Sequence, residues 1–415
     1  MKMKKRVLIG SPIHQKASIL QLFLTSLEYM NTEGLEVHYL FVDDNESQDA
    51  KKILSDFMRR KNTAYILNST DTQSYICDES THYWNENLVW KVAHFKNVII
   101  QFALDKKFDY LFLIDSDIVL HPETLQKLIE AEKDIVSNIF WTRWKPNFPE
   151  LPQVWVFDQY SQYYYKRGER LTEEQIHERH QQFLEMLRKP GIYEVGGLGA
   201  CTLISRRALQ AGVNFNEIKN VSFWGEDRHF CIRAQALGFN LFVDTHYPAF
   251  HIYRESDCEK AQEFMIRNIK EKIEKDLFYK IKVAFESIGS FDYEKGYEDL
   301  STAYFSNQMR QRVLDEIQSQ LEDNVRRKLR VKANVYGCQV KEISLKGQKG
   351  IITFMLENNG VEGGSTFSET FLCESEVIKE GNEWFIHSLS VVDKIGDMDY
   401  KIGNTDVSLD YRHNE

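Results

Sequence analysis

Three short apolar runs, each stopped abruptly by polar residues, constrain this chain more than any other feature. Val7-Leu8-Ile9 stops at Gly10-Ser11-Pro12, Val37 to Val42 stops at Asp43-Asp44-Asn45, and Tyr110 to Ile114 stops at Asp115-Ser116-Asp117. Between them the apolar residues change to helical spacing: Leu20, Phe23, Leu24 and Leu27, then Ile53, Leu54 and Phe57, then Leu88, Val92, Phe95, Ile99 and Phe102. A strand at Ala64 to Leu67, a helix at Leu125, Leu128 and Ile129 and a strand at Ile135-Val136 extend the alternation. Strands that alternate with helices in this way form a mostly parallel sheet covered on both faces. Open sheets of that kind bind ligands at the carboxyl ends of their strands. Pro12, Asp43, Asp44, Asp115 and Asp117 are therefore expected along one edge.

Beyond residue 150 the pattern changes. An aromatic stretch (Trp155, Phe157, Tyr160, Tyr163, Tyr164, Tyr165) precedes a charged helix from about Glu173 to Arg188. The sheet resumes at Val195 and runs through Gly196-Gly197-Leu198-Gly199-Ala200 into Cys201 to Ile204. A helix from Glu226 to Leu237 stops at Gly238, a normal C-terminal signal. Leu241 to Val243 and Ala249 to Ile252 complete a first domain over 1–256. Residues 257–305 read as a helical connector. Residues 306–415 read as a small α+β domain with an antiparallel sheet, carried by Val335-Tyr336, Ile351 to Phe354, Phe371-Leu372 and Trp384 to Ile386.

Composition limits the function. The chain has 415 residues and a formal net charge of -10, and such an acidic protein is not expected to bind nucleic acid as a partner. No run approaches the ~18 apolar residues of a membrane span. The apolar run after the basic start is too short for a signal peptide. None of the six cysteines forms a C-x-x-C pair, and scattered thiols fit a reducing compartment. The expected location is cytoplasmic, with peripheral contact to a membrane left open.

The chemistry concentrates at the strand ends. Asp115 and Asp117, at i and i+2 after a strand, can aim two carboxylates at one Mn²⁺ or Mg²⁺ that keeps positions open for substrate phosphates. The rival reading is a capped turn before the helix near Pro122. Asp43 and Asp44 can accept from a base or a ribose hydroxyl, with ordinary turn chemistry as the alternative. Lys96 and Asn97 lie on the helix before the key strand and could approach a nucleotide, unless they form a solvated face. Gly197 and its neighbouring glycines allow close backbone approach to a ligand or a turn. Glu226 and Asp227 begin a helix, where acidic residues are favoured by the dipole. Either could instead serve as a general base, with Trp224 as a platform for an acceptor sugar. His251 can complete a metal shell as a neutral imidazole.

Taken in order, Phe95-Lys96-Asn97, Phe112-Leu113-Ile114-Asp115-Ser116-Asp117, Glu226-Asp227-Arg228-His229-Phe230-Cys231-Ile232-Arg233-Ala234 and Leu237-Gly238-Phe239 resemble the nucleotide-diphospho-sugar transferases of the GT-A fold, especially glycosyltransferase family 2. Asp115 to Ile139, with Gly196-Gly197 and His251-Ile252-Tyr253, also resembles the fungal mannan-polymerase mannosyltransferases. The resemblance covers roughly residues 5–256. It implies a Rossmann-like α/β domain and a metal-dependent glycosyltransferase of hexosyltransferase type, taking a UDP- or GDP-sugar to a carbohydrate, lipid or protein acceptor. It further implies that Asp43 or Asp44 contacts the nucleoside, with Pro12, Lys96, Asn97, Ser116 and Gly197 near the donor. Asp115 would approach ribose or metal, Asp117 and His251 would bind metal, and Asp227 or Glu226 would be the base of an inverting enzyme. Two departures stand out: Asp43-Asp44-Asn45-Glu46-Ser47 replaces the usual Asp-Asp-Gly-Ser, and Lys96-Asn97 replaces Arg-Asn. The tail from about Ser306 to Lys394 faintly resembles the cone-shaped fold of the nuclear transport factor group, an accessory module for oligomerisation or acceptor recognition. The competing expectations are a nucleotidyltransferase, which would open with a Gly-rich basic loop absent at Gly10 to His14, and a non-catalytic nucleotide-sugar-binding scaffold.

Overall fold

The structure is a computed structural model that describes residues 4–61, 63–69, 84–145, 147–157, 159–221, 225–289, 305–306, 335–362, 365–381, 383–388 and 390–395. The chain divides into two compact units, Met1–Ile269 and Lys270–Glu415. In chain order the first contains β1 (Lys5–Ile13), α1 (Ala17–Glu28), β2 (Leu35–Asp43), α2 (Gln48–Arg60), β3 (Ala64–Asn68), α3 (Glu86–Asp105), β4 (Tyr110–Ile114), β5 (Ile118–Val119), α4 (Thr124–Glu130) and β6 (Ile135–Thr142). Then come β7 (Leu151–Pro152), α5 (Glu173–Leu187), β8 (Ile192–Val195), β9 (Cys201–Ser205), α6 (Arg206–Gln210), α7 (Glu226–Ala236) and β10 (Leu241–His251). A long helix, α8 (Cys258–Gly289), follows.

Ten strands form one sheet in the order β3-β2-β1-β4-β9-β6-β10-β5, with β7 beside β6 and β8 beside β10. The run β3-β2-β1-β4 is parallel, as the alternation predicts. The second half is mixed: β9 inserts antiparallel between β4 and β6, whereas β10 runs parallel to β6. The two late apolar runs expected near residues 241 and 249 are one strand, β10, with an irregularity between Asp244 and Ala249.

Side chains alternate faces along each strand, so the sheet supports two cores. Leu8, Leu111 and Leu113 pack with α3, α5, α6 and α7 on one face. Val7, Ile9, Phe112 and Ile114 pack with α1, α2 and α4 on the other. Helix starts are set by side-chain caps: Ser47 accepts from Ala50 N–H, Asn85 from Leu88 N–H and Thr172 from Gln175 N–H. The carboxyl ends of β1, β2, β4, β6 and β10 then deliver Pro12, Asp43, Asp115, Thr142 and His251.

Among the described residues the second unit contains the end of α8 and a five-stranded antiparallel sheet of β11 (Val335–Lys346), β12 (Lys349–Glu362), β13 (Ser365–Glu380), β14 (Glu383–Ile386) and β15 (Ser390–Lys394). Its core joins Leu277 and Phe305 to Ile352, Phe354, Val377, Trp384 and Ile386.

Candidate functional site

Two lysines on α3 face two different strand ends. Lys96 lies on the inward face that Ile99 and Ala103 continue, and it is 1% exposed. Its Nζ donates to Glu226 Oε1 at 3.0 Å and to Asp227 Oδ1 at 3.1 Å, and stands 3.6 Å from Asp115 Oδ1. Burial alone would lower its pKa, but the three carboxylates more than offset this and hold it well above the usual lysine range. One cation thus ties the start of α7 to the end of β4.

The carboxylates respond in the opposite sense. Burial raises Asp115 to about 6 and Asp227 to about 7; Lys96 pulls both down, and the other acids push them up. Asp115 still shows 36% and Asp227 27% of its side chain to solvent, so water screens part of this effect. A turn between β8 and β9 fixes both acids. Asp115 N–H donates to Ala200 O at 2.8 Å, and a Cβ at Gly199 would stand 2.3 Å from Asp227 Oδ2. Ala200 itself has φ 42°, an unfavourable conformation for a residue with a side chain. Lys96, Asp115, Gly199 and Asp227 line a water-sized cavity of about 10 Å³.

Asp117 pairs with His251 across β5 and β10: Nε2 lies 3.6 Å from Oδ2, and Ile252 N–H donates to Asp117 O at 2.9 Å. His251 Nδ1 and Thr142 Oγ1 are 2.7 Å apart, and Gln153 donates to the same hydroxyl oxygen. With Nδ1–H donated to Thr142, Nε2 keeps its lone pair for a ligand. Two carboxylates and an imidazole suit Mn²⁺ or Mg²⁺, and both Asp117 and His251 act electrostatically on Asp115. Among the described residues, no three His, Cys, Asp or Glu side chains already stand close enough to enclose an ion.

The end of β2 is arranged differently. Asp44 accepts from Lys91 at 2.8 Å and lies 3.2 Å from His14. Burial pushes its pKa up, but His14, Lys91 and Ser69 hold it below the usual range. Asp43 accepts from the backbone and side-chain N–H groups of Asn45 at 3.0 and 2.6 Å, a turn interaction. Beside Lys91 opens a cavity of about 660 Å³, lined by Val42, Asn68, Asn87, Trp90 and His94 among others. Pro12 is paired with Val42 at the same edge.

Ser116 is buried in the turn between the two acids. Asn97 accepts from Phe215 N–H and donates to Asn216, so both its ends hold the loop before α7. A Cβ at Gly197 would meet the Trp155 indole at 1.9 Å, and Trp155 exchanges backbone bonds with Gly196 and Gly197. The close approach made there is to Trp155. Trp224 lies outside the described residues. Sequence reasoning passed over Lys91 and Thr142. A lysine on the apolar face of α3 was the available signal for Lys91; nothing local marks Thr142.

Residues 4–190 match the family described as glycosyltransferase family 25, N-terminal domain. That description differs from the family 2 likeness of the motifs, and both are of glycosyltransferase type. No curated protein matches the chain. Similar solved structures include a mannosyltransferase from Pyrobaculum calidifontis in complex with GDP-Man and Mn²⁺, at 11% identity and a TM-score of 0.38. That match covers 60% of this chain and 57% of the mannosyltransferase, so the chain spans little more than half of that protein. Another is S. aureus TarS, at 12% identity and a TM-score of 0.35, covering 93% of this chain and 77% of that one. Among the described residues no helix is long and apolar enough to cross a membrane.

Proposed function

We propose that the first unit, whose residues 4–190 match a glycosyltransferase family, transfers a sugar from a UDP- or GDP-sugar to an acceptor hydroxyl, with a divalent cation at the β4 edge. The observation that carries this reading is the meeting of Asp115, Glu226 and Asp227 around a single buried lysine, with the Asp117–His251 pair beside Asp115 at the same strand end. Three carboxylates face one permanent cation and Asp117 adds a fourth negative group nearby, which leaves the edge short of positive charge. Asp117 and His251, with Asp115, would hold Mn²⁺ or Mg²⁺, and the cation would neutralise charge on the departing diphosphate.

The chain's own residues do the rest. Asp227, raised to about 7, suits a base that accepts the acceptor's proton near neutral pH. Lys96 and the absent side chain of Gly199 fix its carboxylate. Glu226 shares Lys96 with Asp227 but is less open to solvent, and is the second choice for the base. Asp115 is placed for ribose or metal. The cavity beside Lys91, within the usual size of ligand pockets, would take the nucleoside, with Asn68 and Ser69 at its rim and Pro12 on the strand beside Val42. Asp44 acts there by orienting Lys91, because its own carboxylate is already engaged. Calorimetric titration of UDP, GDP and their sugars, with Mn²⁺ and then with EDTA, tests the reading. Metal-dependent binding of one species supports it; no binding by the folded protein rejects it.

A further inference from the structure

The loop after β6 carries aromatic residues that the proposed chemistry leaves unused. β6 and β10 run parallel, with Trp141 beside Phe250, and the chain leaves both at the edge that carries Asp117. At the strand ends Thr142 meets His251. Two residues further along each chain, Trp144 packs edge-on against Tyr253, with ring centroids 5.3 Å apart at 76°. Tyr253 also touches the His251 ring at 5.7 Å. Two residues of extended chain cover ~7 Å, a distance that one sugar ring spans.

Trp144 is anchored rather than loose. Arg254, itself buried, donates through Nη1 to Arg143 O at 2.8 Å and through Nη2 to Trp144 O at 2.9 Å. Its guanidinium lies over the Tyr253 ring at 4.9 Å. A charged group is thereby sequestered to hold two carbonyls of a surface loop, while the indole they carry remains 43% exposed. Exposure by itself means little, since single exposed aromatics are common. A fixed backbone, a rigid indole and a place one ring beyond the candidate metal pair together define a receptor. Indole faces bind surfaces that are apolar at the centre and polar at the edge, and the C–H face of a pyranose is of that kind.

We propose that Trp144, packed on Tyr253 and anchored by Arg254, is the platform on which a pyranose ring of the acceptor stacks. This rests on the transferase reading, because it is the donor diphosphate at Asp117 and His251 that makes this rim the entrance for an acceptor. The donor's own hexose is a single ring tied to that diphosphate, whereas an acceptor arrives from solvent, where the indole is open.

The test is saturation-transfer NMR with methyl glycosides of the gluco, galacto and manno series, in the presence of UDP or GDP and Mg²⁺. At least one pyranoside should receive saturation at its ring C–H protons. Trp144→Ala should weaken that binding by about fivefold or more, and Trp144→Phe should restore most of it. Trp84→Ala, which removes an equally exposed indole (42%) elsewhere, should leave it unchanged. Calorimetry on each variant reads nucleotide and nucleotide-sugar binding separately. Pyranoside binding that is absent, insensitive to Trp144→Ala or equally sensitive to Trp84→Ala overturns the platform while nucleotide binding still upholds the transferase. Loss of nucleotide-sugar affinity alone in Trp144→Ala assigns the ring to the donor and also overturns it. Failure of every nucleotide to bind removes the transferase reading and the platform together.

Discussion

The ends of β2 and β4 each bury a lysine of α3 against carboxylate, and they do so with opposite stoichiometry. At β2 a single carboxylate, Asp44, is surrounded by Lys91, His14 and Ser69, and its pKa is held low. At β4 a single ammonium, Lys96, faces Asp115, Glu226 and Asp227, and two of those acids are pushed up. The two lysines are five residues apart, ~7.5 Å along the helix and ~140° around it. The first cluster is electrostatically complete and reads as architecture. The second lacks positive charge and reads as a site that a cation would complete.

The largest expected effect breaks the second cluster chemically. Asp227→Asn should lower kcat by about 10²–10⁴-fold, roughly 3–5 kcal/mol, while nucleotide binding persists. A variant that keeps a tenth of the turnover would move the base to Glu226. The lysines should then separate by pH. Lys91→Met strands Asp44 in the interior and should cost about 3–5 kcal/mol of stability in urea titrations. Lys96→Met should cost a similar amount at pH 8 but clearly less at pH 5, where Asp115 and Asp227 take up protons. Equal pH dependence for the two variants would dissolve the distinction between the clusters.

A smaller effect lies in the unsubstituted protein. The folded pKa values of Asp115 and Asp227 lie above the ordinary carboxylate value, so the folded state binds these protons more tightly than the unfolded chain. The resulting stability is full below about pH 4 and is lost as pH rises through 6 and 7. Without metal, stability should fall by about 1–2 kcal/mol between pH 5 and 8, after allowing for water at both side chains. Asp227→Asn should flatten part of that slope in thermal melts. Smallest, Gly199→Ala should displace the Asp227 carboxylate and lower kcat about tenfold, with stability changed by about 1 kcal/mol or less.

Much of this was legible in the chain itself. The strands that end in Asp43, Asp115 and His251 and the helix that begins at Glu226 stand where apolar periodicity puts them, because each is a local pattern. What was not legible is tertiary. Lys96 and Glu226 are 130 residues apart, so a lysine expected near a nucleotide proves to be the hub of an acid cluster. Asn97, expected beside it, holds the loop before α7. The glycine turn reads equally well as a ligand approach or a packing contact, and only the Trp155 indole against Gly197 distinguishes them. The antiparallel insertion of β9 has no local signature, since a short buried strand reads the same in either direction.

The most direct test is calorimetric titration of Mn²⁺ into the protein with UDP or GDP present, at pH 8 and pH 5.5, for the unsubstituted chain and Asp117→Ala. A charge-deficient β4 edge predicts binding at pH 8, at least tenfold weaker binding at pH 5.5, and none in Asp117→Ala with the fold intact. Mn²⁺ binding that is the same in Asp117→Ala, or indifferent to pH, would contradict it.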